Sequence, residues 1–141
     1  EASNEVWFAA AFGEGSEAVI GLRMELGQGL AGWVAQSGQP VIVPDVTKDS
    51  RFFAEVDENS GFRTRSILCV PLQTKGQTIG AIEVMNKRSG EFDKEDQALL
   101  QALAISAATA ISSIMLSIAR IFAGAPRQRS AEGRSGRSGD A

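Results

Sequence analysis

"MELGQGLAGWVAQSG", residues 24–38, decides the fold, because it can be read in two incompatible ways. Gly27, Gly29 and Gly32 spell a literal G-x-G-x-x-G between an apolar run and a helix-like segment. A second strand-like run, "VIVPDV", then ends in Asp45, an acid 18 residues after Gly27. Strand, glycine turn, helix, strand and acid is the order of a dinucleotide-binding βαβ unit. Against that reading, the helix over 29–37 is stopped by Gly38 and Pro40, too soon to cross a parallel sheet. The clearest strands, "RSILCVPLQ" (65–73) and "QTIGAIEVMNK" (77–87), are joined by a tight turn at Gly76. That spacing makes a hairpin, and hairpins build antiparallel sheets. The glycines are then read differently. Gly27 and Gly29 turn the backbone out of a strand, and Gly32 lets the short helix lie close on its neighbours.

The remaining segments fit the same scheme. "EVWFAAAF" (5–12) and "EAVIGLRMEL" (17–26) read as two strands joined by the glycine-rich "GEGS". "PVIVPDV" is a brief strand, and Phe52, Phe53 and Val56 in the polar connection after it are spaced for a turn or two of helix. A long helix runs from Asp93, its N-cap, to about Phe122, with Glu95 and Asp96 in the first turn where carboxylates complement the dipole. Residues 1–123 are thus expected to form one α+β domain. Residues 124–141, rich in Arg, Ser and Gly, are expected to be a disordered tail.

Composition excludes several chemistries. The chain of 141 residues is 43% hydrophobic, enough for one packed core, and carries a net charge of −3. Residues 1–119 hold 9 Lys and Arg against 15 Asp and Glu, so the folded part is acidic and nucleic acid is not an expected partner. There is no histidine, which removes the commonest general base and metal ligand. The single Cys69 cannot form an internal disulfide, is too little for a zinc site, and points to a reducing, cytoplasmic compartment.

The long helix has no charged residue from 97 to 119, and Leu100, Leu103, Ala107, Ile111, Ile114, Ile118 and Phe122 recur at spacings of 3 and 4. Its Gln, Ser and Thr residues and the absence of an aromatic belt argue against a membrane span. A helix apolar nearly all round is expected to be covered on one side by its own sheet and on the other by a partner, giving a homodimer.

"LGQGLAGWVAQSGQPVIVPDV", "DSRFFAEVDENSGFRTRSILCVPL" and "IGAIEVMNKRSGEFDKED" resemble, in order and spacing, the GAF domain over about residues 5–118. The likeness is strongest to the cyclic-nucleotide-binding GAF domains of tandem-GAF phosphodiesterases and cyanobacterial adenylyl cyclases. That group carries an N-K-x(n)-F-x(3)-D-E signature, seen here as Asn86, Lys87, Phe92 and Asp96, with Gln97 in place of the final Glu. The resemblance implies a PAS-related antiparallel sheet with a short helix over the pocket face and a long C-terminal helix on the other. It also implies that Lys87 and Asp96 pair to hold that helix against the sheet.

Carried over by position, the resemblance places ligand contacts at Leu30, Ala31, Phe53, Asp57, Ser60, Thr64 and Glu83. Leu30 and Ala31 would offer backbone N–H groups at a helix N-terminus, a natural phosphate site. Read from the residues alone, Asp57 and Ser60 also suit a plain turn. Glu83 suits a solvated strand face as well as a pocket. The resemblance further implies that an N-terminal helix and a central first strand of the family fold are absent from this sequence, so self-association through the gap is expected.

Two functions follow as expectations. One is a non-enzymatic regulatory sensor that binds a small molecule, most plausibly cGMP or cAMP, and signals through a helical homodimer to an output domain. The other is a ligand-free dimerisation module of the same fold. A lone Cys69 in an apolar strand makes a bilin chromophore or a multi-cysteine reductase unexpected, and no haem or other cofactor is expected.

Overall fold

The computed structural model describes the backbone of residues 4–124 and the side chains of residues 4–113. The expected tail beyond Gly124 lies outside the described residues. Among the described residues five strands form two sheets: β1 (Glu5–Trp7) pairs with β2 (Arg23–Glu25), and β3 (Val41–Val43), β4 (Ile67–Thr74) and β5 (Gln77–Met85) follow in spatial order β3-β4-β5. Every pair among the described residues is antiparallel. This removes the dinucleotide reading, which needs parallel strands at its glycine turn.

β4 is the centre of the domain, covered on both faces, and so its sequence is an unbroken apolar run without alternation. One face sends Ile67 and Cys69 toward α2 (Gly29–Ser37), where they join Leu30, Val34, Val43 and Val46. The other sends Leu68 and Val70 toward α4 (Lys94–Gly124), where they join Leu100 and Ala104. β5 divides in the same way: Ala81 packs on the α2 side, while Ile82 and Val84 pack on the α4 side.

Two expected elements are corrected. The strand read over 5–12 is confined to β1, Glu5–Trp7. Residues 17–26 do not form a continuous strand. A single helical turn, α1 (Ser16–Val19), precedes the three-residue β2. The cause is local: Gly13, Gly15 and Gly21 take φ of 101°, 74° and 82°, so the backbone turns three times before extended pairing resumes. Phe52, Phe53 and Val56 introduce α3 (Glu55–Ser60), near the length their spacing predicts.

The glycines of the opening stretch act as turn and contact residues. Gly27 and Gly29 sit at φ of 90° and 69°. A Cβ on Gly32 would lie 3.2 Å from the Glu25 carbonyl oxygen and 3.2 Å from the Gly27 nitrogen. Both are backbone atoms, which cannot swing aside. Gly32→Ala is therefore expected to destabilise the domain by about 1–3 kcal/mol, read from a urea melt, although alanine favours helices.

α4 begins with a reciprocal cap: Asp96 N–H donates to Asp93 Oδ1 at 2.9 Å, and Asp93 N–H donates to Asp96 Oδ2 at 3.0 Å. Its inward face is Leu100, Ala104 and Ala108, at strict four-residue spacing. The expected dimer stripe does not stay on one face. Leu100 is 9% exposed and belongs to the core, whereas Leu103 and Ile111 are 57% and 42% exposed. Small alanines at 104 and 108 face β4, while Leu99, Leu103, Ile105 and Ile111 stay exposed around the helix. Ala107 is half-buried at the border. The side chains of Ile114, Ile118 and Phe122 lie outside the described residues. No helix among the described residues is long and apolar enough to cross a membrane.

Sheet edges are protected unequally. β3 is three residues long and flanked by Pro40 and Pro44, and Gln28 closes β2 by donating N–H to the Glu25 carbonyl and accepting from Glu25 N–H. The outer edge of the nine-residue β5 carries no Lys or Pro and makes no backbone hydrogen bond among the described residues. Such an edge pairs readily with another chain. Light scattering at roughly tens of micromolar protein is expected to give masses above the monomer; a clean monomer would remove this expectation.

Candidate ligand site

Three polar side chains meet in an otherwise apolar cleft between α2, α3 and β5. Its walls are Phe8, Met24, Leu30, Phe53, Val56, Ile67 and Met85, and its polar members are Asp57, Thr64 and Glu83. Gly29, Ala31 and Phe52 complete the lining. Five of the strands and helices contribute, so no local sequence window contains the site. Each contributes for its own reason: α2 presents its first turn, α3 presents one face, and β5 presents the side of Glu83 and Met85.

The structure brings together Leu30, Ala31, Phe53, Asp57, Thr64 and Glu83 of the expected ligand residues. Ser60 does not line the cleft. Its hydroxyl donates to the Asp57 carbonyl at 3.4 Å and accepts from Phe62 N–H at 3.2 Å, closing the end of α3 where Gly61 turns left-handed. Phe8, Met24, Val56 and Met85 are lining residues that the position-by-position reading missed. Met24 stands out as the one buried residue of β2, a signal available only once the strand's bounds are known.

Asp57 is fully engaged. Its Oδ2 accepts from Thr64 N–H at 2.6 Å and its Oδ1 accepts from the Thr64 hydroxyl at 2.6 Å. This two-point clasp ties α3 to the segment entering β4. Glu83 is the opposite case. Its register partner across the sheet is Cys69, and no donor reaches its carboxyl among the described residues. Burial first, and then the Asp57 carboxylate, push its pKa up to about 7. Of the two faces that strand alternation allowed, Glu83 takes the inward one. Cys69 is wholly buried, and burial together with Glu83 drives its thiol far above the ordinary range. Such a thiol is inert as a nucleophile.

The cleft is small, with a volume of about 40 Å³. A single water occupies roughly 30 Å³ of liquid, and small-molecule sites run to roughly 300–1,000 Å³.

The signature residues form a second cluster outside the cleft. Lys87 Nζ lies 2.6 Å from Asp96 Oδ2, and the same ammonium donates to the Glu91 carbonyl at 3.2 Å. The Lys87 ammonium, and then the Asp93 N–H, hold the Asp96 carboxyl below its ordinary value, while Asp96 raises Lys87. Asn86 has φ of 55°, and its side chain accepts from Arg65 N–H and Ser66 N–H and donates to the Arg63 carbonyl. It thereby pins the strand entry that carries Thr64. Phe92 packs against the cluster of Leu68, Val70, Leu100 and Ala104. Trp33 is half-buried with the Arg51 guanidinium 4.4 Å above its ring, held there by the Asp49 carboxylate at 2.7 Å.

An antiparallel sheet with a short helix over a small cleft on one face and a long helix on the other is the architecture of a regulatory sensor module. The chain belongs to the GAF domain family, whose sequence model matches residues 4–111. Among relatives, it is 44% identical over 75 residues to a Drosophila melanogaster dual 3',5'-cyclic-AMP and -GMP phosphodiesterase 11, covering 52% of this chain and 5% of that protein. The match therefore spans a small part of a much longer protein. Among solved structures, the GAF domain of a Coxiella burnetii phosphoenolpyruvate-protein phosphotransferase superposes with a TM-score of 0.63 at 24% identity, over 70% of this chain and 58% of that one. A Thermoplasma acidophilum type II free methionine-R-sulfoxide reductase follows at a TM-score of 0.53 and 28% identity, over 62% and 58%.

Proposed function

We propose that this GAF domain is a small-molecule sensor that takes a cyclic nucleotide, cGMP or cAMP, in the cleft beneath α2 and signals through a homodimer made by α4. The observation that carries the reading is the convergence of Leu30, Ala31, Phe53, Asp57, Thr64 and Glu83 on one apolar cleft. Gly29, Leu30 and Ala31 of its lining belong to the first turn of α2, where a helix leaves backbone N–H donors without intrahelical acceptors, suited to a phosphate. Similarity to a cyclic-AMP and -GMP phosphodiesterase supports the ligand class. The outward apolar residues Leu99, Leu103, Ile105 and Ile111 support the helical pair, and a ligand that favours one arrangement of that pair biases an attached output domain.

One observation favours a second reading, a GAF dimerisation module without a ligand of its own: a cleft of about 40 Å³ is too small for a nucleotide. Isothermal titration with cAMP and cGMP separates the two. Saturable heat that Asp57→Ala weakens is the outcome expected of the sensor. No heat and no thermal shift at about millimolar nucleotide leaves only the module.

A further inference from the structure

Thr64 is polar and yet only 6% exposed. Its N–H and its hydroxyl are both given to the Asp57 carboxylate, at 2.6 Å each. Against the same hydroxyl lies the Met85 sulfur, 3.8 Å from Thr64 Oγ1. Met85 ends β5, lines the cleft and is 43% exposed. One side chain thus meets solvent and touches the clasp between α3 and the entry to β4. We propose that Met85 is a modification site: a hydroperoxide oxidises its thioether to the sulfoxide, and the oxidised side chain leaves Thr64 and uncovers the clasp.

The step balances with the peroxide alone. A sulfur lone pair attacks one peroxide oxygen, the S–O bond forms as the O–O bond breaks, and sulfur is oxidised by two electrons. The other oxygen departs as water, taking the proton of the transferred hydroxyl. Exposure selects the sulfur that reacts. Met24 lines the same cleft but is 7% exposed, and Cys69, the single thiol of the chain, is wholly buried. The product is a polar group in place of an apolar one. Its new oxygen needs a donor, and the nearby Thr64 hydroxyl already gives its hydrogen to a carboxylate, the stronger acceptor. The side chains of Phe8, Val56 and Ile67 in the lining offer none. Solvent on the exposed side of Met85 does. The backbone is held, because Met85 pairs with Ile67 in the ladder and Asn86 is bonded to Arg63, Arg65 and Ser66. The side chain therefore carries the change, and water gains access to Thr64 and Asp57 as it withdraws.

The inference goes beyond the reading of the cleft as a nucleotide site, and its test contains no nucleotide. The native chain is treated with hydrogen peroxide, and the mass of each methionine-bearing peptide is followed in time. Met85 is expected to oxidise about 10-fold or more faster than Met24. Hydrogen exchange at the Thr64 amide, which the clasp protects, is then expected to be about 3- to 10-fold faster in the oxidised chain, while the Val70 amide in the middle of β4 holds. Methionine sulfoxide reductases acting on both epimers should restore the original rate. Met85→Leu keeps the volume and lacks the sulfur, so peroxide should leave its Thr64 exchange unchanged. Equal oxidation of Met24 and Met85, unaltered Thr64 exchange once Met85 is converted, a parallel gain at Val70, or the same acceleration in peroxide-treated Met85→Leu would each overturn the proposal. The first three comparisons lie within the wild-type chain and stand even if the variant folds poorly.

Discussion

In urea melts at about pH 8, Glu83→Gln is expected to be more stable than the wild-type chain by about 1–3 kcal/mol, with the gain gone near pH 4. Removing an acid from the candidate cleft thus strengthens the fold. The reason is that the folded state holds Glu83 at about 7 against an ordinary 4.5. For an acid whose pKa is raised by folding, the folded state binds the extra proton, so stability is full below about 4.5 and declines as pH rises toward 7. The full displacement corresponds to roughly 3 kcal/mol, and access of solvent to the cleft trims it. Other carboxyls act in the opposite sense. Asp49 is held below its ordinary value by Arg51, and Asp96 by Lys87, so their contributions are present at neutral pH and are lost only in acid below about 3.8. Between the two effects, stability of the wild type should peak at mildly acidic pH. A wild-type curve flat from about pH 4.5 to 7.5, or a variant no more stable than wild type at pH 8, would show that Glu83 is not held in a desolvated cleft.

Leu68→Ala is expected to cost about 2–5 kcal/mol, the largest loss among single truncations in this chain. Leu68 is 1% exposed, sits in the middle of the central strand, opposite Ile42 on β3 and Val84 on β5, and packs beneath α4 with Val70, Leu100 and Ala104. The removed methyl groups leave a cavity bounded by two hydrogen-bonded strands and a helix whose alanines face the sheet. None of these can collapse inward without breaking the ladder. A domain of this size has only about 5–15 kcal/mol to lose, so the variant should melt at markedly lower urea. Leu103→Ala, whose side chain is 57% exposed, serves as the contrast and should shift the monomer's melt little. Equal losses in the two variants would mean that α4 is not packed on β4 through the Leu100, Ala104 and Ala108 face.

What was readable from residues alone follows from the range of the interactions involved. The hairpin of β4 and β5 lies in two apolar runs around a turn at Lys75 and Gly76, and α2 ends where Gly38 takes a left-handed φ of 69°. The Asp93 cap of α4 is equally local, with partners three residues apart. The pairing of Lys87 with Asp96 came through the family signature, and a nine-residue separation lets a short connection close it. All of these are contests between near neighbours, which composition and spacing can decide.

The sequence by itself determined an antiparallel α+β domain of the GAF family with a capped long helix, because turns, caps and apolar runs act within a few residues and a family string constrains the rest. Only the tertiary structure decided which way Glu83 faces, since a period of two permits either side of a strand and the choice rests on α2 covering one of them. Only it separated Asp57 and Thr64, clasped at the cleft, from Ser60, turned away to end α3. It also divided the apolar residues of α4 between core and surface. A helix apolar nearly all round has no preferred face of its own, and Leu100, Ala104 and Ala108 become its inward face only once β4 lies beneath them.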